Sequence, residues 1–350
     1  MSEKRDAARQ RAAEYEGYQR PIARARKLQP LVSVVRRAPY GPGLVVVALA
    51  ILLGSLFAAA YTLALGRPEP REIPTALVVS GDSSADRELV DRIEREVGSS
   101  LDLRTYPSEA AARRAIEQQH VYAALIFAPG LKRLLVASAA GASVARVLEQ
   151  AAPSIDVIDV KPLPPSDPNG LVVFYITLAA NIVGFITMFQ LRANAPGLSL
   201  RAWFGFVAGL ALLLGFAISL VSGPIIGALA GSFLEKWGIL TLETLIAGLV
   251  CSTMIVLVGR WALIPTWLLF VVLGNTSSGG AVAWPLLPPF FAFIGRWLPP
   301  GATVGALRNA VYFPHAQHAE PLVVLAAWSI AGIAALILAS RWRGQGPDQP

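Results

Sequence analysis

LVVVALAILLGSLFAAAYTLAL, residues Leu44–Leu65, contains no acidic or basic side chain. A helix needs about 20 apolar residues to cross roughly 30 Å of hydrocarbon, where each backbone polar group must be paired within the segment. This run is long enough to span. It begins too far from Met1, and is too long, for the apolar core of a cleaved secretion signal, so it reads as a retained anchor. The composition agrees. Hydrophobic residues make up 54% of the chain and charged ones 15%, and the mean hydropathy is +0.53, values of a membrane protein rather than a soluble one.

Five further apolar segments follow at Gly170–Phe189, Trp203–Val221, Ile239–Val258, Trp261–Gly274 and Leu322–Ser340. The sequence thus predicts six transmembrane helices in the plasma membrane, with both termini cytoplasmic. The fifth segment is short for a full crossing. The third is followed, after the break Gly223-Pro224, by an apolar stretch Ile225–Leu234 that reads as a short re-entrant or interfacial piece.

The net charge of +7 is unevenly placed. Residues 1–43 carry ten Lys/Arg against four Asp/Glu, whereas Arg67–Asn169 carries twelve against fifteen. A basic excess beside a membrane helix marks the cytoplasmic side and suits anionic lipid, so this pattern points to the bilayer and away from nucleic acid. Arg192, Arg201, Arg260, Arg341 and Arg343 also fall inside in a six-span layout. Lys236, Arg296 and Arg308 fall outside, against the bias.

Arg67–Asn169 has the pattern of a soluble domain. Thr75–Val79, Leu101–Thr105, Val121–Ala128, Leu131–Ser138 and Ile155–Val160 are short apolar runs bounded by Gly, Pro or Ser, as strands are. Ser84–Val97 places Leu89, Val90, Ile93 and Val97 on one helical face, with Glu88/Arg92 and Asp91/Arg95 as favourable pairs. Ser108–Gln119 and Ser143–Ala152 read as two more helices with serine caps. The order β-α-β-α-β-β-α-β predicts an extracytoplasmic α/β domain with a mixed sheet, inserted between helices 1 and 2. With Cys251 as the only cysteine and no disulfide to help, the domain is expected to be held by its own core. The chain divides into a basic cytoplasmic segment (1–43), a first transmembrane helix (44–66), the α/β domain (67–169), a five-helix membrane domain (170–343) with a re-entrant or interfacial outer loop at 275–320, and a cytoplasmic tail (344–350).

Chemistry-bearing motifs are few. Gly81-Asp82-Ser83-Ser84 has the letters of an esterase nucleophile block, but His120 is the only histidine of its domain and no Asp-x-x-His accompanies it, so a strand-to-helix turn capped by Ser83 or Ser84 is the expectation. His315 and His318 have metal-ligand spacing without a third ligand beyond Glu320, in a stretch flanked by Pro314 and Pro321. There is no phosphate-cradling Gly-rich loop, so any ATP must be handled by another polypeptide. The reading assigns no catalytic, cofactor or metal residues. Candidate pathway or loop residues are Asn181, Glu243, Asn275, Ser277, Ser278, Gly279, Gly280, Arg296 and Arg308. For Glu243, one turn into the fourth span, the bland expectation is snorkelling or a pair with Lys236; for Asn181 it is an interhelical hydrogen bond.

Asn275–Gly280, then Trp284-Pro-Leu-Leu-Pro-Pro-Phe-Phe-Ala-Phe-Ile-Gly-Arg-Trp-Leu-Pro-Pro-Gly301 and Ala306-Leu-Arg-Asn-Ala-Val-Tyr-Phe313, resemble a bacterial membrane-protein family of unassigned function. That family is related to the phage-infection and nitrosoguanidine-resistance proteins, within the type-2 ABC-transporter permease group. The resemblance implies a homodimeric, permease-like subunit that exports a hydrophobic or amphipathic compound with a separate ATPase. The chain departs from a complete exporter in lacking a nucleotide-binding domain, and its best candidate docking segment is Tyr18–Arg37. The alternative is a non-transporting envelope protein whose outer domain binds a ligand, phage or envelope partner. An integral-membrane enzyme ranks third.

Overall fold

A computed structural model describes residues 40–66, 68–79, 84–97 and 101–344. The basic segment with Tyr18–Arg37, the turn Gly81–Ser83 and the last six residues lie outside the described residues. The chain divides into two compact units, 1–59 and 60–350.

Helix α1 (Gly41–Leu65), most of which belongs to the first unit, is apolar all round, and Leu44, Val46, Ile51 and Leu52 are more than half exposed. Side chains of this kind on every face suit a helix surrounded by lipid. Five helices are long and apolar enough to cross a membrane: α1, α5 (Val172–Asn194), Leu200–Ile225, Phe233–Trp261 and α11 (Glu320–Gly344).

The second unit holds the sheet, and the strand and helix order is the one read from the sequence. It runs β1 (Ile73–Val79), α2 (Ser84–Val97), β2 (Leu101–Thr105), α3 (Glu109–Glu117), β3 (Ala123–Ala128), β4 (Leu131–Val136), α4 (Ser138–Ala151) and β5 (Asp156–Asp159). The spatial order is β2-β1-β3-β4-β5, parallel except for the β3–β4 hairpin. Pro129-Gly130 makes the hairpin turn, with Gly130 at φ +76°, a conformation open to glycine. Ser108 caps α3 as expected, accepting from the Ala111 amide. Ser143 does not cap a helix. α4 begins earlier, at Ser138, and kinks at the extended Gly141, which leaves the Ser143 hydroxyl to accept from the Ala283 amide at 3.0 Å. Arg95 likewise turns from the Asp91 carboxylate to its backbone carbonyl.

The α/β domain is not held by its own core alone. On the α2/α4 face, Ile93, Leu125, Leu134 and Leu148 pack with Val282, Ala283, Leu286 and Leu287 from the membrane half. On the α3 face, Ile116, Ile126 and Leu135 close around Phe313. A sheet that buries both faces needs apolar cover on each, and three short helices do not suffice, so the membrane half supplies the rest. Backbone bonds from Glu69 to Leu286 and from Arg71 to Pro285 stitch the same junction.

In the bundle, α6 (Leu200–Leu220) and α7 (Phe233–Val258) pack with α5 through small residues. A Cβ on Gly215 would lie 2.6 Å from the Thr241 hydroxyl, and one on Gly184 would lie 3.2 Å from the Thr244 carbonyl. Close backbone approach is how helices gain packing where water offers no drive. Gly223-Pro224 does not end α6: the chain winds through a π turn to Ile225, which absorbs the missing proline donor. Residues 226–232 that follow are irregular, and Phe233 opens α7 under a Ser232 cap.

After Arg260, the apolar helix α8 (Leu263–Asn275) is wound in π fashion from Leu268, and at 1.5 Å per residue it rises only about 20 Å. It ends beside Asn181, nine residues into α5 and so about 14 Å along the bundle. Residues 276–288 then climb out irregularly to the α/β domain. α9 (Pro289–Gly295) turns back, and α10 (Pro299–Tyr312) begins against Gly274, where a Cβ would meet Pro300 at 2.7 Å. Thus α8 and α10 meet end to end halfway along the bundle. Segment 275–320 thus runs from the middle of the bundle, where Asn275 meets Asn181, to the α/β domain, where Phe313 is buried.

Candidate functional site

The halfway point is polar. Asn181 donates to Asn275 Oδ1 at 3.2 Å, and the Tyr61 hydroxyl and the Glu243 carboxylate interact with Asn275 and Asn181 respectively. Glu243 is fully buried, with Oε2 accepting from Thr303 Oγ1 at 2.8 Å and Oε1 without a hydrogen-bond partner. Thr303 lies one turn into α10, where the positive end of a helix favours a nearby carboxylate. Lys236 does not pair with Glu243, and Glu243 does not snorkel. Lys236 Nζ instead donates to the Leu229 and Ala230 carbonyls at 2.6 and 3.0 Å, because the loop after the π turn leaves those acceptors unpaired. Asn181 makes the interhelical bond expected of it and also belongs to this larger cluster.

The broken ends around the cluster are satisfied locally. The hydroxyls of Thr276, Ser277 and Ser278 donate to the carbonyls of Val272, Leu273 and Asn275, which the helix end would otherwise leave as orphans. Non-helical backbone at this depth is tolerated only when buried in protein and paired in this way. Gly279 takes φ +74°, and Gly280 abuts Phe174 so closely that a Cβ would lie 2.9 Å from it. Gly295 and Gly301 are tighter still: a Cβ on Gly295 would overlap the Ser277 carbonyl, and one on Gly301 would overlap the Gly295 carbonyl.

Above the cluster, a cavity of about 280 Å³ lies between α10 and the α/β domain. Its wall follows α10 from Gly301 to Asn309, roughly 12 Å of helix, and takes in Gln119 and Tyr122 on one side and Trp284 and Arg296 on the other. Arg308 donates to the Gly279 carbonyl at 3.0 Å, and the Arg296 guanidinium lies 5.4 Å from the Trp284 ring centre. Trp284 in turn donates to the Ser277 carbonyl at 3.1 Å. Burial pushes the Tyr122 hydroxyl above its ordinary range, partly offset by Arg308 and Arg296, so it stays a neutral donor. Gln119 donates to Asn309 at 2.9 Å and to the Ala316 carbonyl, and His318 meets the Gln118 carbonyl at 3.1 Å. His120 and His315 sit in exposed loops.

The nine residues singled out in the sequence therefore fall into two linked places. Asn181, Glu243 and Asn275 form the buried cluster; Ser277, Ser278, Gly279 and Gly280 make the ascending strand; Arg296 and Arg308 reach the cavity. Thr303, Gln119, Tyr122 and Asn309 escape a sequence reading, since none stands in a recognisable motif and Thr303 and Gln119 find Glu243 and Asn309 at separations of 60 and 190 residues. Compared with family models, curated proteins and solved structures, the chain matches none.

Proposed function

We propose that the chain is a permease-like subunit of the plasma membrane, which moves a hydrophobic or amphipathic compound with a separate ATPase. One observation carries this reading: two half-length helices, α8 and α10, meet midway along the bundle around a buried carboxylate and two paired asparagines. Discontinuous helices with polar groups at mid-depth are the construction by which transporters hold a substrate or coupling ion, and a plain anchor has no use for them. The sparse polarity elsewhere suits an apolar cargo.

Counting α8 with the ascending strand as a crossing makes six spans. Arg192, Arg260 and Arg343 then share the cytoplasmic end with both termini, and Arg343 bonds to the Leu257 carbonyl there. The α/β domain lies at the other end, outside the cytoplasm. Lys236 and Arg308 run against the charge rule because each is spent on an internal carbonyl rather than left free in a loop. The subunit works as a homodimer, as type-2 ABC permeases do, a family placement that rests on the loop motif.

The test is affinity capture of the tagged protein from solubilised membranes, with mass spectrometry for a nucleotide-binding subunit and an ATPase assay of the complex. A stoichiometric ATPase that is lost on deleting Tyr18–Arg37 is expected. Recovery of the protein alone, or with envelope partners bound through Arg67–Asn169, would overturn the ATP-driven reading in favour of a non-transporting envelope protein.

A further inference from the structure

Arg296 and Arg308 approach the same cavity from different elements, α9's C-terminal end and the middle of α10. Neither makes an ion pair with a carboxylate among the described residues. Arg308 makes one hydrogen bond, to the Gly279 carbonyl, out of the five N–H groups a guanidinium offers. Arg296 is braced by the Trp284 ring, which fixes its position and leaves its in-plane donors free. The one carboxylate in the wall is Glu320, exposed at the rim. Two guanidiniums against one carboxylate leave the cavity net positive. Tyr122, Gln119 and Asn309 add neutral polar groups.

Holding the partly buried Arg308 guanidinium in one cavity with a second guanidinium costs solvation and repulsion unless an anion repays it. The fork geometry of arginine selects a planar or tetrahedral oxyanion over a chloride-like sphere. The space is too small for a folded chain or a nucleic-acid strand, and large enough for a phosphate ester or carboxylate with a few attached atoms. Phe290, Phe293 and Trp297, on and just after α9 and next to Arg296 in the chain, are each more than half exposed and offer apolar surface to the tail of an amphiphile.

We propose that this cavity binds a compact oxyanion, a phosphate ester or carboxylate, through Arg308 and Arg296, as the headgroup of an amphiphile or as a free anion. The proposal concerns binding at the outer cavity and does not require that the chain transports anything.

The test uses the full chain in nanodiscs of a zwitterionic lipid, titrated calorimetrically with dihexanoyl phosphatidic acid, inorganic phosphate and uncharged dihexanoylglycerol. Phosphatidic acid binds, and both Arg308→Gln and Arg296→Gln weaken it by about tenfold or more, with partial recovery in Arg308→Lys. Phosphatidic acid binding much more tightly than phosphate assigns the anion to an amphiphile, and equal affinities assign it to a free anion; both support the site. Should Arg308→Gln misfold through loss of its bond to Gly279, exposed Arg296 still provides the test. Affinity unchanged in Arg296→Gln, or dihexanoylglycerol binding as tightly as phosphatidic acid, overturns it. A ligand bound but never exported by cells would count against the permease reading alone.

Discussion

Phe313 tests whether the membrane half completes the α/β domain. Its ring is fully buried among Ile116, Ile126 and Leu135, with the Lys161 ammonium 5.4 Å from its centre. Phe313→Ala removes the ring and opens a void that three strands and a short helix cannot collapse into, at a cost of about 3–5 kcal/mol. An α/β domain of this size is stable by about 5–15 kcal/mol, so the change consumes a large share of that. Hydrogen exchange of the β3 and β4 amides, measured on the whole chain in nanodiscs, should quicken by roughly a hundredfold to several thousandfold. Phe293→Ala, at a residue that is 70% exposed, serves as the control and should leave exchange near wild type. Protection of β3 and β4 unchanged in Phe313→Ala would refute the argument that this residue belongs to the sheet's core.

Gly295→Ala places a methyl on the Ser277 carbonyl, where both partners are backbone, so a loss of at least about 3 kcal/mol and a sharp fall in monodisperse protein are expected by fluorescence-detected size exclusion. Gly238→Ala, with open space around it, should instead raise the melting temperature slightly. At the buried cluster, Glu243→Gln keeps an acceptor for Thr303 and puts a permanently neutral group in a site that water does not reach, so it should be at least as stable as wild type. Thr303→Val, which strands the carboxylate, should cost about 1–3 kcal/mol in denaturant titrations; the reverse order would mean that the carboxylate is not held as described. Lys236→Met leaves the Leu229 and Ala230 carbonyls unpaired, and protease cleavage between residues 226 and 232 should accelerate by about tenfold.

Periodicity and apolar run length determined much of this protein. Charge-free runs such as Leu44–Leu65 have no stable alternative to a helix in lipid, and short apolar runs bounded by Gly, Pro or Ser set the succession of strands and helices along the chain, because these signals are local. Ser108 marked the start of α3 for the same reason. Tertiary structure decided which of several partners each polar group took. Glu243 lies seven residues from Lys236 but bonds Thr303, sixty residues on, and Ser143 leaves its own helix for Ala283. It also decided that Phe313 and Leu286 belong to the sheet's cores. A local pattern says that a side chain must be buried or paired; only the packed chain brings together the surfaces that bury and pair it.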